Sequence, residues 1–232
     1  MARYIVTDLT RFSNPDTVCT AVIDTETGGC LRPMPYLKSQ KVKELNIQPG
    51  AILEGEITLK QHVENPHIED ASYNNLKYAD TASGDEFKAI LDKTLSDSVA
   101  SGFGIPFAAG QKHIQVGQQA TCSIITIKIL PSALRIHEDQ YKPGKIKASF
   151  TDGAGNFYNY LSITDRGFFD YAKKHQNDGQ LGNVQNFIST QKEVYLRIGV
   201  SRQWKLGERD GYWLQVNGIY TFPKFFDEIR TY

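Results

Sequence analysis

Residues 51–60, with the sequence AILEGEITLK, alternate apolar and polar side chains with a period of two. Leu53, Ile57 and Leu59 fall on one face of an extended chain, whereas the charged and hydroxyl side chains fall on the other face. This alternation predicts a β-strand with one face in a core and one face in water.

The same period recurs along much of the 232-residue chain and predicts paired strands joined by turns rich in Gly, Asn and Asp. Besides residues 51–60, the predicted strands are 17–24, 30–32, 122–129, 146–151, 157–163, 193–202 and 212–222. Helical spacing is confined to few segments, namely 86–99, a segment that follows a cap at Thr164-Asp165, and 225–232. The polar stretch 62–84 predicts a loop.

Each half of the chain therefore contains about five strands and a helix, which is the content of a small Greek-key barrel of the OB type. We predict an all-β fold with a few short helices, built as two tandem OB-like barrels. Residues 1–116 would form the first barrel and residues 117–232 the second. A single β-sandwich is the alternative.

Composition excludes several classes of protein. Lys and Arg number 26 and Asp and Glu number 26, and a net charge of +0 argues against an indiscriminate polyelectrolyte binder. No apolar run approaches the ~20 residues of a membrane span. The chain starts almost directly with the strand-like Tyr4-Ile5-Val6, without the apolar core of a signal peptide. We expect a cytoplasmic protein with no membrane partner.

Cysteine content and charge distribution add two expectations. Cys19, Cys30 and Cys122 are odd in number and lack CxxC spacing, which predicts free thiols, buried or half-buried, rather than disulfides or a zinc site. Residues 1–116 contain 11 Lys and Arg against 15 Asp and Glu, whereas residues 117–232 contain 15 against 11. This asymmetry favours the second half as the place of a polyanion-binding surface.

Both ends of the chain resemble a known family, whereas residues 61–119 do not. The segments that carry the resemblance are YIVTDLTRF (4–12), VCTAVID (18–24), GCLRPMP (29–35), YLRIGVSR (195–202) and YWLQVNGIY (212–220). They resemble the dual OB-domain family of small prokaryotic proteins. The resemblance implies two OB folds and nucleic-acid binding, and it implies a link to mobile elements and antiviral conflict systems.

The last predicted strand pair has the composition of an OB ligand surface, which stacks bases on aromatic rings and contacts phosphates with Arg or Lys. Alternation places Tyr195 and Arg197 opposite the apolar face of their strand, and we expect both to be exposed. The predicted binding residues of this pair are Tyr195, Arg197, Arg202, Trp204, Lys205, Trp213, Gln215 and Asn217. The alternative is a solvated sheet face with Trp213 packed on the neighbouring module.

Arg11, Arg32, Tyr36 and Lys38 extend the predicted interface to the first half of the chain. Arg32 lies next to two prolines, at positions 33 and 35, whose rings restrict the backbone and would hold Arg32 toward a phosphate. An ion pair with Asp8 or Asp24 is the alternative role for Arg32.

No metal, catalytic or cofactor motif is legible in the sequence. His62, Glu64, His67, Glu69 and Asp70 lie close together, but the H-x4-H spacing matches no strong metal motif, and we interpret the segment as a surface loop without a metal. The five His residues form no local catalytic signature either.

We therefore expect a protein that binds nucleic acid, as single-stranded DNA or RNA, without a cofactor and without catalysis. One alternative is a protein–protein interaction module of a defence or mobile-element complex. The other is an enzyme acting on nucleic acid or a nucleotide through Asp8, Asp24, Asp165 or residues 62–70.

Overall fold

The computed structural model describes residues 2–224 and residue 229. The predicted terminal helix over 225–232 lies outside the described residues, except for position 229. In chain order, the first elements are β1 (Ala2–Arg11), β2 (Thr17–Asp24), β3 (Cys30–Met34), β4 (Leu37–Lys38), α1 (Ser39–Glu44), β5 (Ala51–Leu59) and β6 (Asp70–Thr81).

Five of these strands close into a barrel. Strand β1 pairs antiparallel with both β2 and β5, β5 pairs with β6, and the parallel pair β3–β6 closes the circle through β2. This is the five-stranded Greek-key arrangement of an OB fold. Leu53 on β5 is fully buried in the barrel, as the alternation predicted, although Leu59 at the end of β5 remains 53% exposed.

The polar composition of residues 62–84 conceals β6, and the prediction of a loop there is wrong for residues 70–81. Most β6 side chains beyond position 71 are exposed or half-exposed, so the segment shows no apolar alternation. The strand exists because its backbone pairs with β5 on one side and β3 on the other.

A connecting region separates the two barrels and contains α2 (Gly84–Asp92), β7 (Leu95–Ser96), α3 (Val99–Phe103) and β8 (His113–Gln115). Helix α2 begins with a capping box in which Ser83 and Glu86 satisfy each other's backbone N–H groups. The predicted helix over 86–99 ends earlier than expected, at Asp92. Residues 95–96 are extended instead, and they pair with a strand of the second sheet.

The second barrel follows the same plan with one interruption. Its elements are β9 (Ile124–Ile129), a 3-10 turn (Pro131–Ala133), β10 (Leu134–Glu138), β11 (Ile146–Thr151), β12 (Phe157–Ile163), α4 (Arg166–Asn177), α5 (Leu181–Ser189), β13 (Glu193–Val200), β14 (Trp204–Leu206) and β15 (Arg209–Phe222). The strand order is β10-β11-β12-β15-β13-β9. The first and last strands in this order, β10 and β9, follow one another in the chain and are separated only by Leu130 and the 3-10 turn that begins at Pro131.

Taken together, β9 and β10 therefore act as one strand that begins and closes the second barrel. The parallel pair β12–β15 corresponds to β3–β6 in the first barrel. In each barrel the helical segment lies between the third and fourth strands of the barrel. The chain thus forms two tandem OB-like barrels, as predicted, and not the alternative β-sandwich.

The two barrels pack on each other through a shared apolar cluster. It combines Ile5, Ile23 and Ile52 of the first barrel with Tyr195 and Tyr220 of the second. At the other end of β1, the Arg11 N–H donates to the Thr164 carbonyl at 2.8 Å. The barrels therefore meet backbone to backbone at one edge. The division between residues 116 and 117 stays a prediction.

Two further observations concern the chain as a whole. The three cysteines are free thiols, with Cys19 buried and the other two half-buried, which confirms the prediction made from their number and spacing. Among the described residues, no helix has the length and apolar character needed to cross a membrane.

Candidate nucleic-acid interface

A cleft of about 420 Å³ opens where the two barrels meet, and both barrels line it. We refer to it as the inter-barrel cleft. The side chains that line it include the aromatic residues Phe12, Tyr36, Trp204 and Trp213, the arginines Arg11, Arg32 and Arg202, and the polar residues Thr10, Thr164, Ser201, Gln203, Gln215 and Asn217. Its size is in the range of ligand pockets in proteins.

The β15 strand positions Trp213 on the second-barrel side of the cleft. The Trp213 indole N–H donates to the Trp204 carbonyl oxygen at 2.8 Å, and the ring stacks on His113 with centroids 4.8 Å apart. Strand β8 can lie this close to β15 because residue 211 is a glycine. A Cβ at that position would lie 2.1 Å from the Ile114 carbonyl oxygen. Trp213 is therefore fixed, whereas Trp204 is 65% exposed and free to contact a ligand.

Tyr36 faces these tryptophans from the first barrel. Its ring lies against Phe12, with 4.8 Å between centroids, and its hydroxyl accepts a hydrogen bond from Arg202 Nε at 3.0 Å. Because Arg202 belongs to the loop after β13, this hydrogen bond connects the two barrels across the cleft.

Arg32 and Arg202 share one carboxylate, that of Asp70. Arg32 Nε lies 2.6 Å from Asp70 Oδ1, and Arg202 Nη2 lies 2.9 Å from Asp70 Oδ2. Burial alone would raise the pKa of Asp70, but the two guanidinium groups outweigh burial and lower it. Two cations therefore face this one carboxylate, and the buried Glu69 also acts electrostatically on Arg32.

The Arg32 side chain is only 4% exposed, and its buried Nη2 has no hydrogen-bond partner among the residues that the structure describes. Its ion-pair partner is Asp70 rather than Asp8 or Asp24, the two partners proposed from the sequence. Arg32 is therefore an ion-paired arginine, as the alternative interpretation proposed, but its partner is a different carboxylate.

His67 adds a neutral imidazole to this part of the cleft. Burial lowers the pKa of His67 to about 3, and the positive charges of Arg32 and Arg202 act in the same direction. The ring lies edge-on to Tyr212, with 5.6 Å between centroids. At neutral pH the cleft therefore carries its positive charge on arginines alone.

The remaining cleft residues supply hydrogen-bonding groups and a stacked cation. Thr164 Oγ1 donates to Asn217 Oδ1 at 2.9 Å. A Cβ at Gly199 would lie 2.1 Å from the Asn217 amide nitrogen, so glycine leaves room for this amide. Arg11 is exposed and lies 3.7 Å over the Phe169 ring. Stacking of this kind orients the guanidinium without neutralising it.

Eight of the twelve predicted binding residues meet in this cleft, namely Arg11, Arg32, Tyr36, Arg202, Trp204, Trp213, Gln215 and Asn217. Lys38 and Lys205 are exposed but do not line it. Their contribution to binding stays a prediction.

The predicted exposure of Tyr195 and Arg197 is wrong. Tyr195 is 0% exposed and Arg197 is 1% exposed, because the face of β13 that carries them packs against the first barrel. The Tyr195 hydroxyl donates to Asp92, and Arg197 is ion-paired with Asp8. These two side chains hold the barrels together and offer no surface to a ligand.

Residues 62–70 are not the predicted surface loop at their carboxyl end. His67, Glu69 and Asp70 are buried, and the Glu69 carboxylate accepts hydrogen bonds from the backbone N–H groups of Ser123 and Ile124. Glu69 thus joins the first barrel to the start of β9. In the part of the chain that the structure describes, no three His, Cys, Asp or Glu side chains are grouped as metal ligands would be.

The carboxylates considered for catalysis have structural contacts. Asp8 pairs with Arg197, Asp165 accepts the N–H of Phe168 at the start of α4, and Asp24 accepts the N–H groups of a turn. These three groups do not converge in the cleft.

Sequence reasoning missed several cleft residues, most clearly Phe12, His67 and Gln203. Phe12 is adjacent to the predicted Arg11, so its aromatic character was a usable signal. No such signal existed for His67. Its place in the cleft depends on how the buried segment before β6 packs, which no local pattern predicts.

A family model matches the chain. The family described as dual OB-containing domain matches residues 6–219, which is nearly the whole chain. No curated protein matches the sequence significantly. A dual OB domain suggests nucleic-acid binding in general.

Proposed function

The chain belongs to the dual OB-containing domain family, and we propose that it binds single-stranded nucleic acid in the inter-barrel cleft. One observation carries the proposal. The cleft brings both tryptophans of the chain together with three arginines, and it draws them from both barrels. Aromatic rings that stack bases and cations that contact phosphates are the two elements of single-strand binding.

The arrangement of the aromatic rings favours single strands over duplexes. Trp204, Trp213 and Tyr36 can stack only on a base whose face is free, and in a duplex each base is already stacked on its neighbours. The amides of Gln203, Gln215 and Asn217 add donors and acceptors that can contact base edges. The proposed ligand is DNA or RNA.

The electrostatics of the cleft support an anionic ligand. Three arginines line the cleft and no Asp or Glu is among its described lining residues, although Asp70 pairs with two of the arginines and Asp170 lies within electrostatic range of Arg11. The neutral His67 adds no charge of its own at pH 7. Binding should therefore weaken with salt, since cations that contact phosphates displace counterions.

Tryptophan fluorescence tests the proposal directly, because both tryptophans line the cleft. The full chain is titrated with single-stranded and duplex DNA and RNA of the same sequence across a series of salt concentrations. We expect a change in fluorescence with single strands, tighter binding of single strands than of duplexes, and weaker binding at high salt. Equal affinity for duplexes, or single-strand binding that leaves the fluorescence unchanged, would contradict the proposal.

A protein-interaction module is the second candidate, and one observation favours it. The exposed strand β14 carries Trp204 and Leu206, which are 65% and 60% exposed. The two side chains are two positions apart on one strand, so they lie on the same face, and contiguous exposed apolar surface marks many protein docking sites. We also propose, from the family resemblance, a place in a prokaryotic defence or mobile-element system, where such a partner would be found.

A further inference from the structure

The second barrel has a groove of its own, with a volume of about 690 Å³. It lies between the turn that joins β11 to β12, the loop before β11, and residues 107–112. Among the side chains that line it are Phe107, Lys112, Tyr141, Phe157, Tyr158 and Tyr160. We refer to it as the Tyr141 groove. It shares no lining residue with the inter-barrel cleft.

Aromatic rings face the solvent in the Tyr141 groove. Tyr141 is 76% exposed and Phe157 is 55% exposed, whereas Tyr160 is half-buried. The rings of Tyr141 and Tyr160 lie 5.7 Å apart, centroid to centroid. Single exposed aromatic side chains are common on protein surfaces, but a group of them around one depression is typical of a binding site.

The backbone holds Tyr160 in an unfavourable conformation. Its φ angle is +56°, in the left-handed region that residues with a Cβ rarely adopt. The pairing of β11 with β12 shifts register between Ala148 and Phe150, opposite Tyr160. Such a bulge redirects a side chain. The Tyr160 N–H donates to Ser149 Oγ at 3.1 Å, and its ring lies edge-on to His137, so the redirected ring is fixed.

Four lysines lie in or near the segments that form the groove. Lys112 lines the groove, and Lys142 follows Tyr141 in the chain, with Lys145 and Lys147 close behind. Burial lowers the pKa of Lys147, and the nearby Asp139 carboxylate opposes this, whereas the charges of Lys112, Lys142 and Lys145 act in the same direction as burial.

The acids in this region are largely committed to other contacts. Asp139 lies 4.0 Å from Lys147 and accepts the N–H of Tyr141, while Asp152 accepts N–H groups of the β11–β12 turn. Both are buried. Glu138 accepts the N–H of Gly144. Asp139 also faces Lys147, and among the described residues the lysines that form no ion pair with an acid include Lys112, which lines the groove.

We propose that the Tyr141 groove is a second binding site for single-stranded nucleic acid, with Tyr141, Phe157 and Tyr160 stacking bases and the lysines contacting phosphates. The inference rests on the proposed function for the class of its ligand. The two sites adjoin along the chain, since Lys112 lines the groove and its neighbour His113 stacks on Trp213 of the cleft. One strand that occupies both sites would bind more tightly than a strand long enough for only one.

Two oligothymidylates test the inference on the full chain. One has about 6 nucleotides, enough for part of one OB site, and the other has about 25, enough for two. Affinity is measured by anisotropy, tryptophan fluorescence reports the cleft, and ultraviolet cross-linking with mass spectrometry reports the groove. The groove variant is Tyr141→Ala with Phe157→Ala, both exposed in the folded chain. Tyr78→Ala, an exposed tyrosine on β6 outside both sites, is the matched control.

We expect the groove variant to lose about ten- to a hundredfold in affinity for the long oligonucleotide, as for lost base stacking, while Tyr78→Ala loses none. Its tryptophan fluorescence change at saturation should persist, and wild-type cross-links should include Tyr141, Phe157 or Tyr160. Unchanged affinity in the groove variant would overturn the inference while leaving the cleft proposal intact. Poly-glutamate carries negative charges but no bases. If it displaced the long oligonucleotide from the groove as well as unlabelled oligonucleotide does, the inference would also be overturned, because stacking would then not be required. Groove cross-links without a fluorescence change would instead refute the cleft proposal alone.

Discussion

Arg197 of the second barrel and Asp8 of the first form a buried ion pair, with 2.9 Å between Nε and Oδ2. Each side chain is only 1% exposed. The other guanidinium nitrogens donate to Thr126 Oγ1 and to the Cys30 sulfur. Because both charged groups are buried, separation of the two barrels would break the ion pair and expose the two side chains to water. The pair therefore helps to fix the relative position of the barrels that form the cleft.

The first prediction concerns this pair. Arg197→Met keeps an apolar stem of similar length but leaves the Asp8 carboxylate buried without its cation. We expect the free energy of unfolding to fall by about 3–5 kcal/mol, the usual cost of breaking a buried pair. Chemical denaturation at pH 7 measures it.

Two variants control this experiment. The double variant Asp8→Leu with Arg197→Met should recover part of the loss, because no charge is then left unpaired. Lys77→Ala, at an exposed position of β6, should stay within about 0.5 kcal/mol of the wild type. A loss below about 1 kcal/mol in Arg197→Met would mean that the pair contributes little.

The second prediction concerns stacking in the cleft. Trp204→Ala should weaken single-strand binding by about one to two decades, since a stacked base contributes about 1–3 kcal/mol. Its thermal unfolding should not change, because the side chain is 65% exposed. Anisotropy titration with a labelled single strand measures the affinity.

Leu206→Ala is the matched control for Trp204. It lies on the same strand, is 60% exposed, and does not line the cleft. We expect no loss of nucleic-acid affinity in this variant. Equal losses in both variants would indicate that the whole hairpin acts as a scaffold, and an unaffected Trp204→Ala would favour the protein-interaction function.

The third prediction concerns Arg202. Its side chain is 44% exposed, and Asp70 keeps Arg32 as a partner when Arg202 is removed. Arg202→Ala should therefore fold normally and bind more weakly. The plot of log affinity against log salt should become flatter by about 0.7, the value for one phosphate contact on a single strand. Lys77→Ala should leave the slope as it is, and an unchanged slope in Arg202→Ala would mean that Arg202 does not contact a phosphate.

The fourth prediction concerns pH and His67. In the folded chain His67 stays neutral down to about pH 3, whereas in the unfolded chain it takes up a proton below about pH 6.5. Between these values the unfolded state binds more protons, so the free energy of unfolding decreases as the pH falls. His67→Gln should remove this contribution and flatten the dependence by at most about 1.4 kcal/mol per pH unit.

Denaturant unfolding at several pH values between 4 and 7 measures this dependence. His62→Gln, five positions earlier and exposed, should retain the wild-type slope. Identical slopes for His67→Gln and the wild type would show that His67 is protonated in the folded chain as readily as in water.

The sequence by itself determined the repeated strand plan and identified eight of the residues that line the cleft. A period of two in segments such as residues 51–60 requires extended chain, because only a strand places alternate side chains on opposite faces. The tryptophans and Arg202 were identifiable from residue type alone. These are local properties, and they persist whatever packs around them.

Only the tertiary structure decided which faces are covered. Tyr195 and Arg197 alternate with apolar neighbours as an exposed polar face does, yet the first barrel covers them and Asp8 pairs with Arg197. Arg32 likewise finds Asp70, 38 positions away. Alternation distinguishes the two faces of a strand but not what packs against each, because contacts between distant segments depend on how the two barrels meet.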